Sequence, residues 1–309
     1  MSIGVLVMAY GTPTSQGDIE RFYTDIRRGH RPSEAQLAEL TARYEAIGGL
    51  SPLVAHSLGQ VDALQHGLDV LRPGGFIAVF GTKHSNPSIE DALVQLHGLG
   101  VTKTIGIVLA PHYSILSVGE YLERARRHAE PLGIELSFVT SWYDDPVLVE
   151  LLAERVRAGI EELNVDQSLV EVVFTAHSLP TRIIAMNDPY PDQLRTTADL
   201  VAARAEISRY RTAWQSAGRT KDTWLSPSIL EVLDEFAIGP VRSVLVCPAG
   251  FVADHLEVLY DLDIEAKARA SSLGINFART ASLNAEPRLF ASLANTIERL
   301  GASTWPIDR

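Results

Sequence analysis

The sequence predicts an α/β protein of two related Rossmann-like halves, each a four-stranded parallel sheet flanked by helices, with a cleft between them. Three observations predict it. Short β-rich apolar runs alternate with longer amphipathic segments along the whole chain, and such alternation implies right-handed βαβ units and a mostly parallel sheet. The pattern of the first half recurs in the second. And 309 residues exceed what one hydrophobic core usually holds.

The apolar runs fall at residues 4–9, 76–80, 105–110, 135–139, 170–175, 210–213, 241–247 and 275–278. Their β-branched residues and their length, under eight residues, favour strands. Helical spacing of apolar residues occupies 18–28, 34–46, 53–71, 88–98, 117–130, 146–161, 191–206, 228–236, 254–270 and 287–300. Eight strands could also close into one barrel. The repeat argues for two sheets instead. Leu6-Val7-Met8-Ala9-Tyr10-Gly11-Thr12-Pro13 matches Val173-Phe174-Thr175-Ala176-His177-Ser178-Leu179-Pro180: a strand, an alanine, a polar ring, two residues and a proline. The strand ending at Ala110-Pro111 likewise matches that ending at Cys247-Pro248. Each leads through a helix to Leu-Gly-Ile, at Leu132-Gly133-Ile134 and Leu273-Gly274-Ile275. The expected halves are 1–145 and 146–309, joined within 142–166, with the last helix packing back on the first half.

Composition narrows the partners. Against 27 Lys and Arg stand 38 Asp and Glu, a formal charge of -11. Nucleic acid and anionic membranes both reward basic surfaces, so neither is expected. Residues 1–17 carry no side-chain charge, but no basic region precedes the apolar run and Gly11, Thr12 and Pro13 interrupt it. The charge-free stretch 104–119 contains Pro111 and His112 and falls short of the ~20 apolar residues of a spanning helix. A cytoplasmic monomer is expected. The one cysteine, Cys247, supplies neither an internal disulfide nor the ligands of a four-cysteine metal site or cluster.

Ligands of open parallel sheets bind beyond the carboxyl ends of the strands. Tyr10 and His177 each follow a strand, so the two rings should line one cleft. His177 reads either as a satisfied structural histidine or as a group that exchanges protons and ligates metal near neutrality. The segment Asp254 to Glu265 follows a strand and reads as one helix, on which Asp254, Glu257, Asp261 and Glu265 share a sector of about 80°. It fits a solvated acidic face capped by Asp254. Equally, carboxylates spaced i,i+4 repel each other, and a stack with no basic partner on its own helix fits a path for a cation. Arg27 and Arg28 end a helix, where basic residues are favoured; with Arg43 they also fit carboxylate recognition by guanidinium forks. Lys83 and His84 follow another strand at the cleft end. No G-x-G-x-x-G follows the first strand, and no P-loop, H-E-x-x-H or G-x-S-x-G sequence occurs.

Met8-Ala9-Tyr10-Gly11-Thr12-Pro13, Tyr44-Glu45-Ala46-Ile47-Gly48-Gly49-Leu50-Ser51-Pro52-Leu53, Ala110-Pro111-His112-Tyr113-Ser114, Ala176-His177-Ser178-Leu179-Pro180, Asp188-Pro189-Tyr190-Pro191-Asp192-Gln193-Leu194 and the run from Gly250 to Asp261 resemble the ferrochelatase signatures, in the family's order. Tyr10 resembles the coproporphyrin branch of Gram-positive-type bacteria. The resemblance implies insertion of Fe2+ into a porphyrin, coproporphyrin III, to give coproheme in haem biosynthesis. It implies His177 and Glu257 as the catalytic pair and as metal ligands with Asp261 and Glu265. It places Tyr10, Arg27, Arg28, Arg43, Ser51, Lys83 and Trp224 at the substrate. Iron is then a substrate. No resident cofactor or iron–sulfur cluster is expected, and the next haem-pathway enzyme is a transient partner. The loop from Gln215 to Leu225 follows the family's glutamine–serine–tryptophan pattern only loosely. The alternatives are a protoporphyrin IX enzyme, a tetrapyrrole- or metal-binding protein without turnover, and a sirohydrochlorin chelatase. A hydrolase using Ser178 beside His177 is disfavoured, because neighbouring side chains at a strand end point apart.

Overall fold

The computed structural model describes residues 2–218 and 220–305. The first sheet contains β1 (Ile3–Ala9), β2 (Phe76–Thr82), β3 (Lys103–Val108) and β4 (Glu135–Val139), in the order β2-β1-β3-β4. The second contains β5 (Val170–His177), β6 (Tyr210–Gln215), β7 (Ser243–Cys247) and β8 (Asn276–Arg279), in the order β6-β5-β7-β8. All pairings are parallel. The two orders are the same once β1 is matched to β5, so the repeat is real in three dimensions, and the barrel alternative is excluded.

Helices α1 (Ile19–Ile26), α2 (Glu34–Ala46) and α3 (Leu53–Leu71) join β1 to β2. Then follow α4 (Ile89–Gly98), α5 (Val118–Ala129) and α6 (Pro146–Leu163). The second half adds α7 (Arg182–Ala185), α8 (Tyr190–Ala205), α9 (Ile229–Ile238), α10 (Leu256–Leu259), α11 (Lys267–Ser272) and α12 (Pro287–Thr304). Matching features recur between the halves. Ser88 and Ser228 open α4 and α9 with reciprocal capping boxes to Asp91 and Glu231, which satisfy backbone donors a helix start leaves free. Gly133 and Gly274 both take φ of +66°, a left-handed conformation that costs glycine little. Each ends the helical segment before the last strand of its half.

β1 is buried along its whole length, and its alternation divides the core. Leu6 and Met8 pack with Leu93, Leu96 and Leu122 of α4 and α5. Val5 and Val7 face a larger cluster that takes in Leu64 and Leu68 of α3, Leu151 and Val156 of α6, Phe290 and Leu293 of α12, and Val172 and Phe174 of β5. One apolar core therefore runs through both halves. The last helix, α12, lies against α3 and also touches α6 and β4. Among the described residues, no helix is long and apolar enough to cross a membrane.

The sequence reading of 254–270 as one helix is corrected. His255 is extended (φ -157°, ψ -179°) and α10 lasts four residues. The chain then widens into a π-helical turn at Asp261–Ala266 before α11 resumes. The 100° spacing assumed for the acidic stripe therefore does not apply.

Candidate active site

In each sheet the connections leave β1 and β5 in opposite directions, toward β2 and β3 and toward β6 and β7. This puts a topological switch point at the ends that carry Tyr10 and His177.

His177 is half-buried at the end of β5. Its Nδ1 hydrogen-bonds the Ser178 carbonyl. A carbonyl only accepts, so Nδ1 carries a proton and Nε2 is the ring nitrogen turned outward. That Nε2 lies 3.7 Å from Glu257 Oε1. His255 is held the same way: Nδ1 donates to the Ala253 carbonyl at 2.8 Å, and Nε2 lies 3.6 Å from Glu257 Oε2. Two imidazole Nε2 atoms thus face one carboxylate, an arrangement suited to holding a proton or a cation between them. Burial alone would raise the Glu257 pKa, but His177 and His255 hold it below the usual carboxylate range. Burial would lower that of His255, and Glu257 raises it above the ordinary imidazole value.

The backbone around this pair is pinned. Tyr190 Oη donates to the His177 carbonyl at 3.0 Å. Gln215 Nε2 donates to the Glu257 carbonyl at 3.0 Å while its Oε1 accepts from Thr175. Gly250 admits the loop after β7 to the flank of β5. A Cβ there would stand 2.4 Å from Ala176 Cβ.

Asp261 is buried and accepts from Ser216 Oγ at 2.5 Å. Burial, with Glu257 nearby, pushes its pKa up to about 6. Arg43 Nη1 reaches it across the cleft at 3.4 Å, with the guanidinium 4.6 Å above the Tyr260 ring. Arg43, expected among the substrate-binding arginines, is engaged with the acidic segment from a different helix. Asp254 is neither a helix cap nor a member of the stripe. It pairs with Arg279 at 3.1 Å and accepts from Ser282. Glu265 is exposed.

The opposite wall is aromatic and basic. Tyr10 is 41% exposed, its ring 4.6 Å from that of His84. Lys83 Nζ meets Glu120 at 2.5 Å and lies over Tyr121. Arg28, 84% exposed, approaches the same Glu120 at 3.9 Å. Arg27 stacks on Tyr23 and donates to the His30 carbonyl. Ser51 is buried and its Oγ accepts from the Leu53 backbone at the start of α3. Trp224 stands 6.4 Å from His177, its buried Nε1–H without a partner among the described residues. Arg219 of the same loop lies outside the described residues. Cys247 is buried and its thiol is pushed up to about 12 by burial, so it offers no reactive thiolate.

The sequence reading missed His255, Ser216 and Tyr190. His255 lies two residues before Glu257, and its extended backbone just ahead of α10 brings the two side chains together. The helix drawn over 254–270 hid it.

A two-lobed α/β protein with paired imidazoles on one carboxylate, facing an aromatic and basic wall, is built to handle a cation beside a flat anionic ligand. Comparison with known proteins is specific. The ferrochelatase family model matches residues 2–300. The coproporphyrin III ferrochelatase of Anoxybacillus flavithermus is 43% identical over 301 residues, covering 96% of this chain and 95% of that one. That of Bacillus subtilis is 42% identical over 304 residues, covering 97% and 98%. Among solved structures, SirB from Bacillus subtilis with Fe3+ superposes with a TM-score of 0.62 at 13% identity, covering 100% and 99% of the chains, a likeness of fold. This chain belongs to the ferrochelatase family.

Proposed function

We propose that this protein inserts Fe2+ into coproporphyrin III with release of two protons. The observation that carries the reading is the Glu257 carboxylate set between two imidazole Nε2 atoms at 3.7 and 3.6 Å. The 43% identity to a coproporphyrin III ferrochelatase over 96% of the chain supports the choice of porphyrin.

Metallation requires two pyrrole N–H protons to leave and a hydrated ion to lose water. In this reading the porphyrin lies between Tyr10 and the His177–Glu257 pair. Arg27, Arg28 and Lys83 bind its propionates, and this remote binding energy supports distortion of the ring. His177 Nε2 accepts pyrrole protons, which Glu257 and His255 share. Asp261 and Glu265 strip water from the approaching Fe2+, with Arg43 and Ser216 holding Asp261. Trp224 closes one side of the ring site. Iron is consumed as substrate, and the lone Cys247 leaves no four-thiolate cluster within the chain. A monomer that hands its product to the next haem-pathway enzyme completes the proposal.

The test is anaerobic Fe2+ insertion into coproporphyrin III and protoporphyrin IX in parallel, followed by absorbance. Multiple turnovers with a preference for coproporphyrin III support the reading. A preference for protoporphyrin IX overturns the substrate, and binding without turnover overturns the activity.

A further inference from the structure

The acidic segment does not hold its own shape. α10 is four residues long and the π-helical turn is six, too short to persist unaided, and π-turns cluster at functional sites. Something outside the segment must fix the direction in which Glu257 and Asp261 point.

Arg279, the last residue of β8, is placed to do so. Its Nε and Nη2 donate to the two Asp263 oxygens at 2.7 and 2.8 Å, a bidentate fork. Nη2 also lies 3.1 Å from Asp254 Oδ1, and Nη1 donates to the Thr280 carbonyl at 3.1 Å. Asp263 is inside the π-turn and Asp254 stands three residues ahead of Glu257, so one guanidinium grips the segment on both sides of the carboxylates that face His177 and Arg43. The residues after Arg279 complete the bracket. Ser282 Oγ donates to Asp254 Oδ1 at 2.7 Å, and the Asp254 backbone N–H donates to Asn284 Oδ1 at 2.9 Å. Gln60 of α3 donates to the Asn284 carbonyl at 3.0 Å, tying the bracket to the first half. The Arg279 side chain is only 14% exposed, so water competes weakly for these bonds.

We propose that Arg279 is a positioning residue, its Asp254–Asp263 grip setting the register in which Glu257 and Asp261 meet the metal. This rests on the reading of those carboxylates as metal-handling groups.

The test uses Asp263→Asn, a partly exposed site where the change keeps volume and fold, and Arg279→Lys, which keeps charge but loses the fork. Amide hydrogen exchange at 256–266, Fe2+ KM and coproporphyrin Kd are read together. Expected are exchange accelerated at least ~10-fold in that segment alone and Fe2+ KM raised ~10-fold, with porphyrin Kd within ~2-fold and recovery in Asp263→Glu. Parent-like exchange, accelerated exchange with unchanged Fe2+ KM, or equal loss of porphyrin binding overturns the proposal. Absence of turnover in the unsubstituted enzyme overturns the functional reading instead, and exchange then decides the grip by itself.

Discussion

Arg43 of the first half and Asp261 of the second meet at 3.4 Å across the cleft, 218 residues apart in sequence. Arg43 is one-quarter exposed and Asp261 buried, so the pair is shielded more than a surface bridge. It joins the α2 wall to the acidic segment at the point where iron is proposed to shed water.

Arg43→Gln removes the cation beside Asp261 and leaves the exposed arginines intact. The expected result is an Fe2+ KM raised ~10-fold, about 1.4 kcal/mol, with coproporphyrin Kd unchanged. Steady-state titration of each substrate separates the two. A weakened porphyrin Kd with normal Fe2+ KM would place Arg43 in the substrate-binding set instead.

Arg28 and Lys83 share Glu120, so each is held near the cleft by a single carboxylate that a propionate can replace. Arg28→Met and Lys83→Met should each raise coproporphyrin KM by roughly 5- to 10-fold, with kcat changed less. The parent's KM should rise with salt, because exposed charges are screened. Salt-independent binding in the parent would argue against this assignment.

Gly250→Ala tests how the loop after β7 approaches β5. The added Cβ would meet Ala176 Cβ at 2.4 Å and Ala176 Cα at 2.7 Å, and backbone there cannot swing aside. A loss of about 1–3 kcal/mol of stability is expected, with a fall in kcat larger than in porphyrin affinity, since the loop carries His255 and Glu257. Chemical denaturation and turnover measured on one preparation check both.

His112 supplies a pH prediction outside the metal site. Its Nε2 donates to Thr197 Oγ1 at 2.9 Å, and its buried Nδ1 has no partner among the described residues. Burial lowers its pKa to about 3. The folded ring stays neutral while the unfolded one takes a proton near pH 6.5. The unfolded state therefore binds more protons, and stability falls as pH drops from about 6.5 toward 3. His112→Gln should lose about 1 kcal/mol less than the parent between pH 6 and 5 in urea denaturation. Equal losses would show that His112 does not carry the acid sensitivity.

The strands, the two-sheet division and the strand-end positions of Tyr10 and His177 were legible because alternation and repeat are local properties. Pro87-Ser88-Ile89 and Pro227-Ser228-Ile229, opening α4 and α9, form a further repeat that was open to sequence reading and missed. The fate of the acidic stripe was not legible. Whether Asp254 lies with Glu257 depends on Arg279, and whether Asp261 is paired depends on Arg43, both brought in by tertiary folding. Ideal helical spacing fails where the backbone widens into a π-turn. The anchor from Tyr190 to the His177 carbonyl likewise joins two motifs that sequence shows only as separate.

The central claim is that His177, beside Glu257, carries the metallation step. The most direct measurement is Fe2+ insertion into coproporphyrin III by His177→Ala, with porphyrin binding followed by fluorescence in the same sample. Turnover reduced at least ~100-fold with porphyrin Kd retained is the predicted result. Near-normal turnover in that variant would contradict the account.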